Sequence, residues 1–187
     1  MAGHHVDVSA AVSFEDVVNE VYEPLQRYLR RRTDPTTAED VLADVLLVLW
    51  RRVDDIPAGA SLPWSYGVAR GCLANSRRGA DRHLRLIRRL AAEPVTAAVS
   101  PTEADAVEDP VFDQALSSLP AGAREVLRLW AWEDLAPREI ALVLGISANA
   151  ASIRLHRATA KLKRELVRRK DTGTPGHLVE QAGMEEK

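Results

Sequence analysis

The sequence predicts an all-α protein of two small helical domains joined by a flexible acidic linker, the C-terminal domain being a helix-turn-helix. Three observations lead to this prediction. Apolar residues recur at three- and four-residue spacing along both halves of the chain. A proline-containing stretch between the halves has no such period. Near the C-terminus, a short apolar helix pattern, a glycine and a longer basic helix pattern follow one another.

These patterns divide the chain into five segments. They are a disordered N-terminus (1–12), a first helical domain (13–90), a linker (91–110), a second helical domain (111–170) and a disordered tail (171–187). The adjacent His4 and His5 in the first segment lack a third ligand, so we assign them no metal.

Composition narrows the class of protein. The chain has 187 residues, 46% of them hydrophobic, which is enough for packed cores. Its one cysteine, Cys72, excludes an internal disulfide and a cysteine zinc cluster. The sequence shows no secretory signal and no apolar run of the ~18 residues that a membrane span needs. We therefore expect a soluble, cytoplasmic protein with no membrane insertion.

The formal net charge of −2 conceals an uneven distribution of charge. Two basic blocks flank the acidic linker. The first block contains Arg77, Arg78, Arg82, Arg85, Arg88 and Arg89, with Asp81 as its one acid. Residues 91–109 carry Glu93, Glu103, Asp105, Glu108 and Asp109 and no lysine or arginine. The second block, residues 154–170, has eight lysines or arginines and one acid, Glu165. Ordinary solvated helix faces mix both signs, so these blocks favour a polyanionic partner.

The first domain begins with two amphipathic helices. The first follows Ser13 and continues to about Arg32, with Pro24 predicted to kink or interrupt it. The second follows a turn, and Thr36 or Thr37 is predicted to cap it. Its apolar residues cover more than one face, which predicts either deep burial or a partner surface.

A loop (residues 53–62) and a long arginine-rich helix starting near Pro63 complete this domain. Trp64 and Tyr66 stand beside arginines, a combination that suits single-stranded nucleic acid, although both rings could equally belong to the core. Cys72 is interpreted as a small buried apolar residue. Asp40 and Asp44 share a face of the preceding helix, but no further ligand accompanies them, so an acid/base or metal pair is disfavoured.

In the second domain, two helices (112–119 and 121–132) are separated by Pro120. Eight of their apolar residues are predicted to pack beneath the helix-turn-helix: Phe112, Ala115, Leu116, Leu119, Val126, Leu127, Leu129 and Trp130. The helix-turn-helix itself begins at Pro137, turns at Gly145 and restarts after the N-cap Ser147.

The second helix of this motif has two different faces at 100° per residue. An inward stripe is predicted for Ala151, Leu155, Ala158 and Leu162. The opposite side is basic and amide-bearing, with Asn149, Ile153, His156, Arg157 and Arg164, and with Arg154 and Lys161 on one flank. Such a helix suits the DNA major groove.

Three blocks of sequence carry a family resemblance. They are TAEDVLADVLLVLW, WSYGVARGCLANSRR and SLPAGAREVLRLWAWEDLAPREIALVLGISANAASIRLHRATAKLKREL. In this order and spacing, the chain resembles a bacterial RNA polymerase sigma factor of the extracytoplasmic-function (ECF) group of the sigma-70 family. The resemblance extends over roughly residues 14–169. It implies sigma domain 2 in the first half and sigma domain 4 in the second.

The resemblance implies partners and site residues. The partners are core RNA polymerase, through its clamp and flap, promoter DNA, and an anti-sigma factor; no cofactor, metal or catalytic residue is implied. Polymerase binding is implied for Asp40, Asp44 and Leu47, contacts to the −10 element for Arg70, Asn75, Arg77 and Arg78, and capture of a flipped base for the loop 54–62. Contacts to the −35 element are implied for Ser147, Asn149, Ser152, Arg154, Arg157 and Lys161. The chain departs from the family pattern at Ala43, Val48, Gly71, Asn75, Ala136 and Ala151.

Two other classes remain open on sequence alone. One is a stand-alone helix-turn-helix regulator that binds a palindrome without polymerase. The other is a helical interaction protein, such as an anti-sigma-like or scaffold module, whose basic helices are incidental. An enzyme is disfavoured because no nucleophile–base, metal or phosphate-loop pattern is present.

Overall fold

A computed structural model describes residues 13–90 and 110–172, and within these ranges the regular structure is helical. The helices are α1 (Phe14–Arg30), α2 (Pro35–Arg51), α3 (Ser61–Leu90), α4 (Pro110–Ser117), α5 (Ala121–Ala131), α6 (Pro137–Leu144) and α7 (Ala148–Thr172). A short 3-10 turn, Val53–Asp55, lies between α2 and α3. The all-α prediction is therefore confirmed. No helix in these two ranges is long and apolar enough to cross a membrane.

The two N-terminal helices differ in detail from the sequence prediction. Pro24 does not interrupt α1, which continues through it to Arg30. Val21 and Leu25 are completely buried on either side of the proline, and this packing holds the helix together where one backbone hydrogen bond is missing.

The cap of α2 is Asp34, not Thr36 or Thr37. The Asp34 carboxylate accepts a hydrogen bond from the Thr37 N–H at 3.0 Å, and Pro35 occupies the first helical position, where a missing N–H costs nothing. This backbone hydrogen bond lowers the pKa of the Asp34 carboxyl below its usual value.

The helix-turn-helix has the predicted turn. Gly145 ends α6 in the left-handed conformation, with φ of 64°, and the Ile146 N–H donates to the Ala141 carbonyl at 3.0 Å. The Ser147 hydroxyl then caps α7 by accepting from the Ala150 N–H at 3.2 Å. These two caps fix where α6 ends and α7 begins.

A small apolar cluster holds α4, α5 and α7 together. Its buried members are Leu116, Leu119, Leu127 and Ala158, with Trp132 among the partly buried residues packed against them. Trp130, which the sequence placed in this core, is instead 47% exposed. The helical period does not distinguish the two tryptophans, because Trp132 follows the end of α5 and its position depends on the turn.

A larger apolar core joins the two halves of the chain. Among the described residues, it combines side chains of α1, α2 and α3 with residues of the C-terminal half: Leu129, Leu135, Ile140, Ala141, Val143 and Ala151. Helix α6 lies against α3 at Gly67, where an added Cβ would be 3.6 Å from the Val143 carbonyl oxygen. The two halves therefore share one core in this conformation, which sequence periodicity did not predict.

A buried ion pair crosses the same junction. The Arg32 guanidinium at the end of α1 lies 2.9 Å from the Glu133 carboxylate before α6, and their side chains are 4% and 2% exposed. Arg32 also lies 3.6 Å above the ring of Tyr28. Arg31 adds a contact of 3.6 Å to Glu133 and donates to the Trp132 carbonyl at 3.2 Å. The ion pair and the shared apolar core therefore hold the two halves together at neighbouring positions.

Candidate nucleic-acid and polymerase interface

The outer face of α7 is accessible. The side chains of Ser147, Asn149, Ser152, Arg154 and Arg157 are exposed, and Lys161 is half-buried. On the opposite side, Ala151 and Ala158 are buried and Leu155 and Leu162 are half-buried, as the predicted inward stripe requires. The helix therefore turns its amide, hydroxyl and arginine groups to solvent while its small residues pack inward.

The two serines on this face already make local hydrogen bonds. Ser147 accepts from the backbone of α7, and the Ser152 hydroxyl donates to the Ala148 carbonyl at 3.0 Å. Ser147 retains its own O–H for a partner, so it can cap the helix and donate outward together. Ile153, not among the predicted site residues, is 42% exposed between the polar groups. The helical angle already places Ile153 on the outer face of α7, and this position in the sequence was the signal that could have identified it.

The predicted −10 residues lie together on one side of α3. Arg70, Asn75, Arg77 and Arg78 form part of the wall of a cleft of about 730 Å³. Arg78 donates to the Asn75 side-chain oxygen, and Arg77 donates to the Arg32 carbonyl at 2.9 Å. The loop before α3 is anchored by the buried Ile56 and by an ion pair of 2.8 Å between Arg52 and Asp55.

Helix α5 forms the opposite wall of this cleft. It contributes Ala121, Gly122, Glu125 and Arg128, none of which was predicted as a site residue. Burial lowers the pKa of Arg128, and the positive charge of Arg32 lowers it further. Only the tertiary structure shows that α5 lines this cleft, since nothing in the local sequence connects residues 121–128 with residues 70–78.

The aromatic residues at the start of α3 divide between the core and a half-buried position. Tyr66 is 2% exposed, and its ring centroid lies 4.8 Å from that of Tyr28. Burial raises the pKa of both phenols. Trp64 is half-buried, with the Arg52 guanidinium 5.3 Å from its ring. For Tyr66 the core interpretation is therefore correct, because a buried ring offers no face to a base.

Helix α2 presents an exposed surface that is both acidic and apolar. Asp40, Asp44 and Leu47 are exposed on it, and Trp50, at 62% exposure, extends it. The other side of α2 is buried through Val41, Leu42, Val45 and Leu49. Cys72 is half-buried, and burial, followed by the negative charge of Asp44, raises the pKa of its thiol. In the described ranges, no group of three His, Cys, Asp or Glu side chains could hold a metal ion.

Three features singled out in the sequence lie outside the described residues: the His4–His5 pair, the acidic residues of 91–109 and the tail from residue 173. The predicted site residues lie in the two described ranges. They form three separate surfaces, on α2, α3 and α7.

In the described ranges the regular structure is helical, with an exposed basic helix after a glycine turn and a second arginine-rich surface, which is typical of the class of helix-turn-helix DNA-binding transcription proteins. Comparison with known proteins gives the family. A family model described as "Sigma-70, region 4" matches residues 111–162. The RNA polymerase sigma-E factor of Streptomyces avermitilis is 30% identical over 156 residues, which cover 83% of this chain and 86% of that protein.

A second relative is the probable RNA polymerase sigma factor RfaY of Xanthomonas campestris pv. campestris. It is 31% identical over 150 residues, which cover 76% of this chain but 37% of RfaY. The chain belongs to the RNA polymerase sigma factors, within the ECF group of the sigma-70 family. It is an alternative sigma factor that directs promoter recognition.

Solved structures show the same fold at low sequence identity. The sigma factor RpoE of Bartonella quintana, in complex with the anti-sigma factor NepR, matches with a TM-score of 0.58 and 22% identity over 82% of this chain and 96% of that one. The PhyRSL–NepR complex of Sphingomonas sp. Fr1 matches with a TM-score of 0.59 and 15% identity over 94% and 99%.

Proposed function

We propose that the three surfaces divide the work of promoter recognition: α2 binds core RNA polymerase, α3 holds the melted −10 element and α7 reads the −35 element. The observation that carries this proposal is the arrangement of α7. Five of its six predicted −35 residues are exposed on the helix that follows the glycine turn, while Ala151 and Ala158 are buried behind them.

On the −35 element, Asn149, Arg154 and Arg157 have the side chains that read base edges in the major groove. Arginine pairs with guanine and asparagine with adenine through paired hydrogen bonds. Ser147, Ser152 and Lys161 suit phosphates, which fix the register of the helix without reading sequence. Ile153 adds an apolar contact that suits a thymine methyl group.

On the −10 element, the arginines of α3 suit the phosphates of a melted strand, and the loop 54–62 suits a flipped base. Flipping a base costs a few kcal/mol of unstacking, which contacts across the holoenzyme would offset. Gly71 replaces the asparagine that is usual in the family, and an added Cβ there would meet nothing within 4 Å. The place of the usual side chain is therefore open space, so base preference at this point rests on neighbouring groups.

Polymerase binding through α2 combines charge with apolar contact. Asp40 and Asp44 lie on one face because residues four apart are neighbours on a helix, and Leu47 continues that face. Exposed Trp50 widens the apolar part, where Ala43 and Val48 replace the polar residues usual in the family. We assign the clamp to this surface and the flap to the C-terminal half.

The shared core must separate for both promoter elements to be bound at once. The elements are about 50 Å apart if they lie one and a half DNA turns apart, at about 35 Å per turn. The 19 residues between Leu90 and Pro110 span at most about 65 Å when fully extended. The linker is therefore long enough, but α5 must leave the −10 surface of α3.

We also propose an anti-sigma partner, because the structural relatives include a sigma factor in complex with an anti-sigma factor. A cytoplasmic location is proposed with it, since the proposed work on promoter DNA with core polymerase requires access to both. The chain acts on promoter choice and is itself neither an enzyme nor a cofactor-binding protein. The exposed apolar groups of α2 are a surface that such a partner could cover.

Transcription by purified core polymerase from a promoter library tests this proposal. We expect the chain to select one class of promoters and to bind their duplexes poorly without polymerase. Tight binding of a palindromic duplex by the chain alone would favour a stand-alone regulator. Failure to bind DNA or to open promoters with core polymerase would favour a helical interaction protein.

A further inference from the structure

The cleft between α3 and α5 carries an excess of positive charge. Its lining includes five arginines, namely Arg32, Arg70, Arg77, Arg78 and Arg128, and one acid, Glu125. Arg32 is paired with Glu133, which does not line the cleft. Glu125 also lies 3.9 Å from Arg32, so the other four arginines of the cleft share one acid that is already beside a fifth. Positive charges that lie close together beside partly buried side chains repel one another, and a bound anion offsets this repulsion.

Unused hydrogen-bond donors point to the same conclusion. Among the described residues that line the cleft, five atoms are buried without a hydrogen-bond partner: Tyr28 Oη, Arg32 Nε and Nη2, Glu125 Oε1 and Arg128 Nε. Three of the five are guanidinium donors. The nearest acidic oxygen to Arg32 Nη2 on the α5 wall, from Glu125, is 3.9 Å away, beyond hydrogen-bond distance. Burial and the positive charge of Arg32 lower the pKa of Arg128, as expected for a guanidinium that lacks a sufficient counter-charge.

The geometry points to an anion site in this cleft, and we propose that it binds a polyphosphate group, bridging the arginines of α3 and Arg128 of α5. Guanidinium groups bind phosphate oxygens through paired hydrogen bonds, and arginines on two facing walls suit a chain of two or more phosphates better than one. A volume of about 730 Å³ accommodates inorganic polyphosphate or a nucleotide.

The effect of this anion on promoter opening rests on the proposed function of the α3 arginines. A ligand that joins α3 to α5 stabilises the conformation in which the two halves share a core. It also occupies the arginines that are proposed to hold the melted −10 strand. Polyphosphate binding and promoter opening therefore exclude each other.

Gly122 offers a test by an added charge. Because Gly122 also lines a second, smaller cleft with Arg154, Arg157 and Lys161, it is paired with a change at Arg128, which lines the first cleft but not the second. Gly122 lies in the first turn of α5 on the cleft wall, and an added Cβ would meet nothing within 4 Å. Aspartate suits the first turn of a helix, so Gly122→Asp should fold while adding a negative charge to the cleft. Gly122→Asn adds the same size without the charge and is the matched control.

Titration calorimetry of the full chain, at low salt and without magnesium, measures binding of inorganic phosphate, tripolyphosphate, a nucleoside triphosphate and a single-stranded oligonucleotide. We expect one saturable site for tripolyphosphate or the nucleoside triphosphate, with inorganic phosphate at least tenfold weaker. A preference between the two tight ligands identifies the source of the polyphosphate group.

Gly122→Asp and Arg128→Gln should each weaken binding about tenfold or more, as the loss of a charge-assisted contact implies. Gly122→Asn should bind like the parent chain.

Arg138→Gln, which removes one exposed charge from α6 outside the cleft, is the second control. Equal weakening by Arg138→Gln and Arg128→Gln would show attraction to overall charge and overturn the proposal. So would binding of the oligonucleotide alone, or no saturable binding. Promoter-specific transcription without polyphosphate tests the proposed function separately, since Arg128→Gln should retain it whether or not the anion site exists.

Discussion

At the scale of single residues, Arg32 and Glu133 form a short, buried ion pair across the junction of the two halves. We predict that Glu133→Gln lowers the free energy of unfolding by about 3 kcal/mol, because it removes the closer of the two acids beside the buried Arg32 guanidinium and leaves Glu125 at 3.9 Å. Denaturant unfolding followed by circular dichroism measures this loss.

The matched control is Asp55→Asn, because Asp55 forms an ion pair of 2.8 Å with Arg52 in which both side chains are exposed. That change should cost no more than about 0.5 kcal/mol, as solvent screens exposed pairs. Equal losses for the two variants would show that burial across the junction adds nothing to the Arg32 pair.

A second prediction at this scale concerns the base-reading role of Arg154. Because its exposed guanidinium lies on the outer face of α7, Arg154→Ala should cost about 1–3 kcal/mol on a promoter with a matched −35 element, and less on one with a scrambled element. Lys161→Ala should weaken all sequences evenly and reduce the salt dependence of binding. Holoenzyme binding to the two promoters distinguishes these outcomes, and an equal loss for Arg154→Ala on both would exclude base reading.

At the scale of helices, α6 begins with half of a capping box. The Glu139 carboxylate accepts from the Ala136 N–H at 2.7 Å, but an alanine has no oxygen to return the bond to the Glu139 N–H. We predict that Ala136→Ser stabilises the chain by about 1 kcal/mol, since the backbone at this position already has the extended conformation of an N-cap.

Removal of a cap in the same motif gives the opposite sign. Ser147→Ala deletes the oxygen that caps α7 and should cost about 1 kcal/mol. Thermal or chemical unfolding of both variants measures the pair of effects. No gain from Ala136→Ser beside a clear loss from Ser147→Ala would show that Glu139 alone suffices to start α6.

The α2 surface gives a prediction about association. Asp44→Arg should abolish co-purification with core polymerase while the helical content is unchanged, because Asp44 is exposed and its reversal places a cation on the proposed contact face. Glu39→Arg reverses an exposed charge elsewhere on the same helix and should retain binding. Co-purification of the Asp44 variant at the parent level would contradict the assignment of this face to polymerase.

At the scale of the whole molecule, the contact of α3 with α6 requires a small residue at position 67. A methyl group there would lie 3.6 Å from the Val143 carbonyl oxygen, an ordinary contact distance. We predict that Gly67→Ala keeps the halves together and adds about 0.5–1 kcal/mol of stability through the loss of glycine's chain entropy. Gly67→Leu should separate α6 from α3, because the further carbons would meet the α6 backbone.

Small-angle X-ray scattering measures the outcome as the radius of gyration. The leucine variant should be larger than the parent, and the alanine variant should not. An unchanged radius for Gly67→Leu would mean that the shared core tolerates a large side chain at this contact, and would contradict the prediction.

Much of the local structure was predictable because it depends on residues close together in the chain. The inward stripe of α7, the turn at Gly145 and the cap at Ser147 follow from helical spacing and from the chemistry of glycine and serine. Prediction failed where the local sequence allows two conformations or positions and a packing partner decides between them. Pro24 stayed inside α1 because buried residues flank it, and Trp130 lies outside the core although it continues the apolar period of α5.

The sequence by itself therefore determined the helices, most of their caps and the faces of the helix-turn-helix, and its three blocks indicated the family. Only the tertiary structure decided that Arg32 meets Glu133, 101 residues away, that α6 lies on Gly67 and that α5 faces the arginines of α3. The physical reason is that periodicity records which face of a helix is apolar, whereas the choice of the surface that covers it depends on the shape and charge of distant residues.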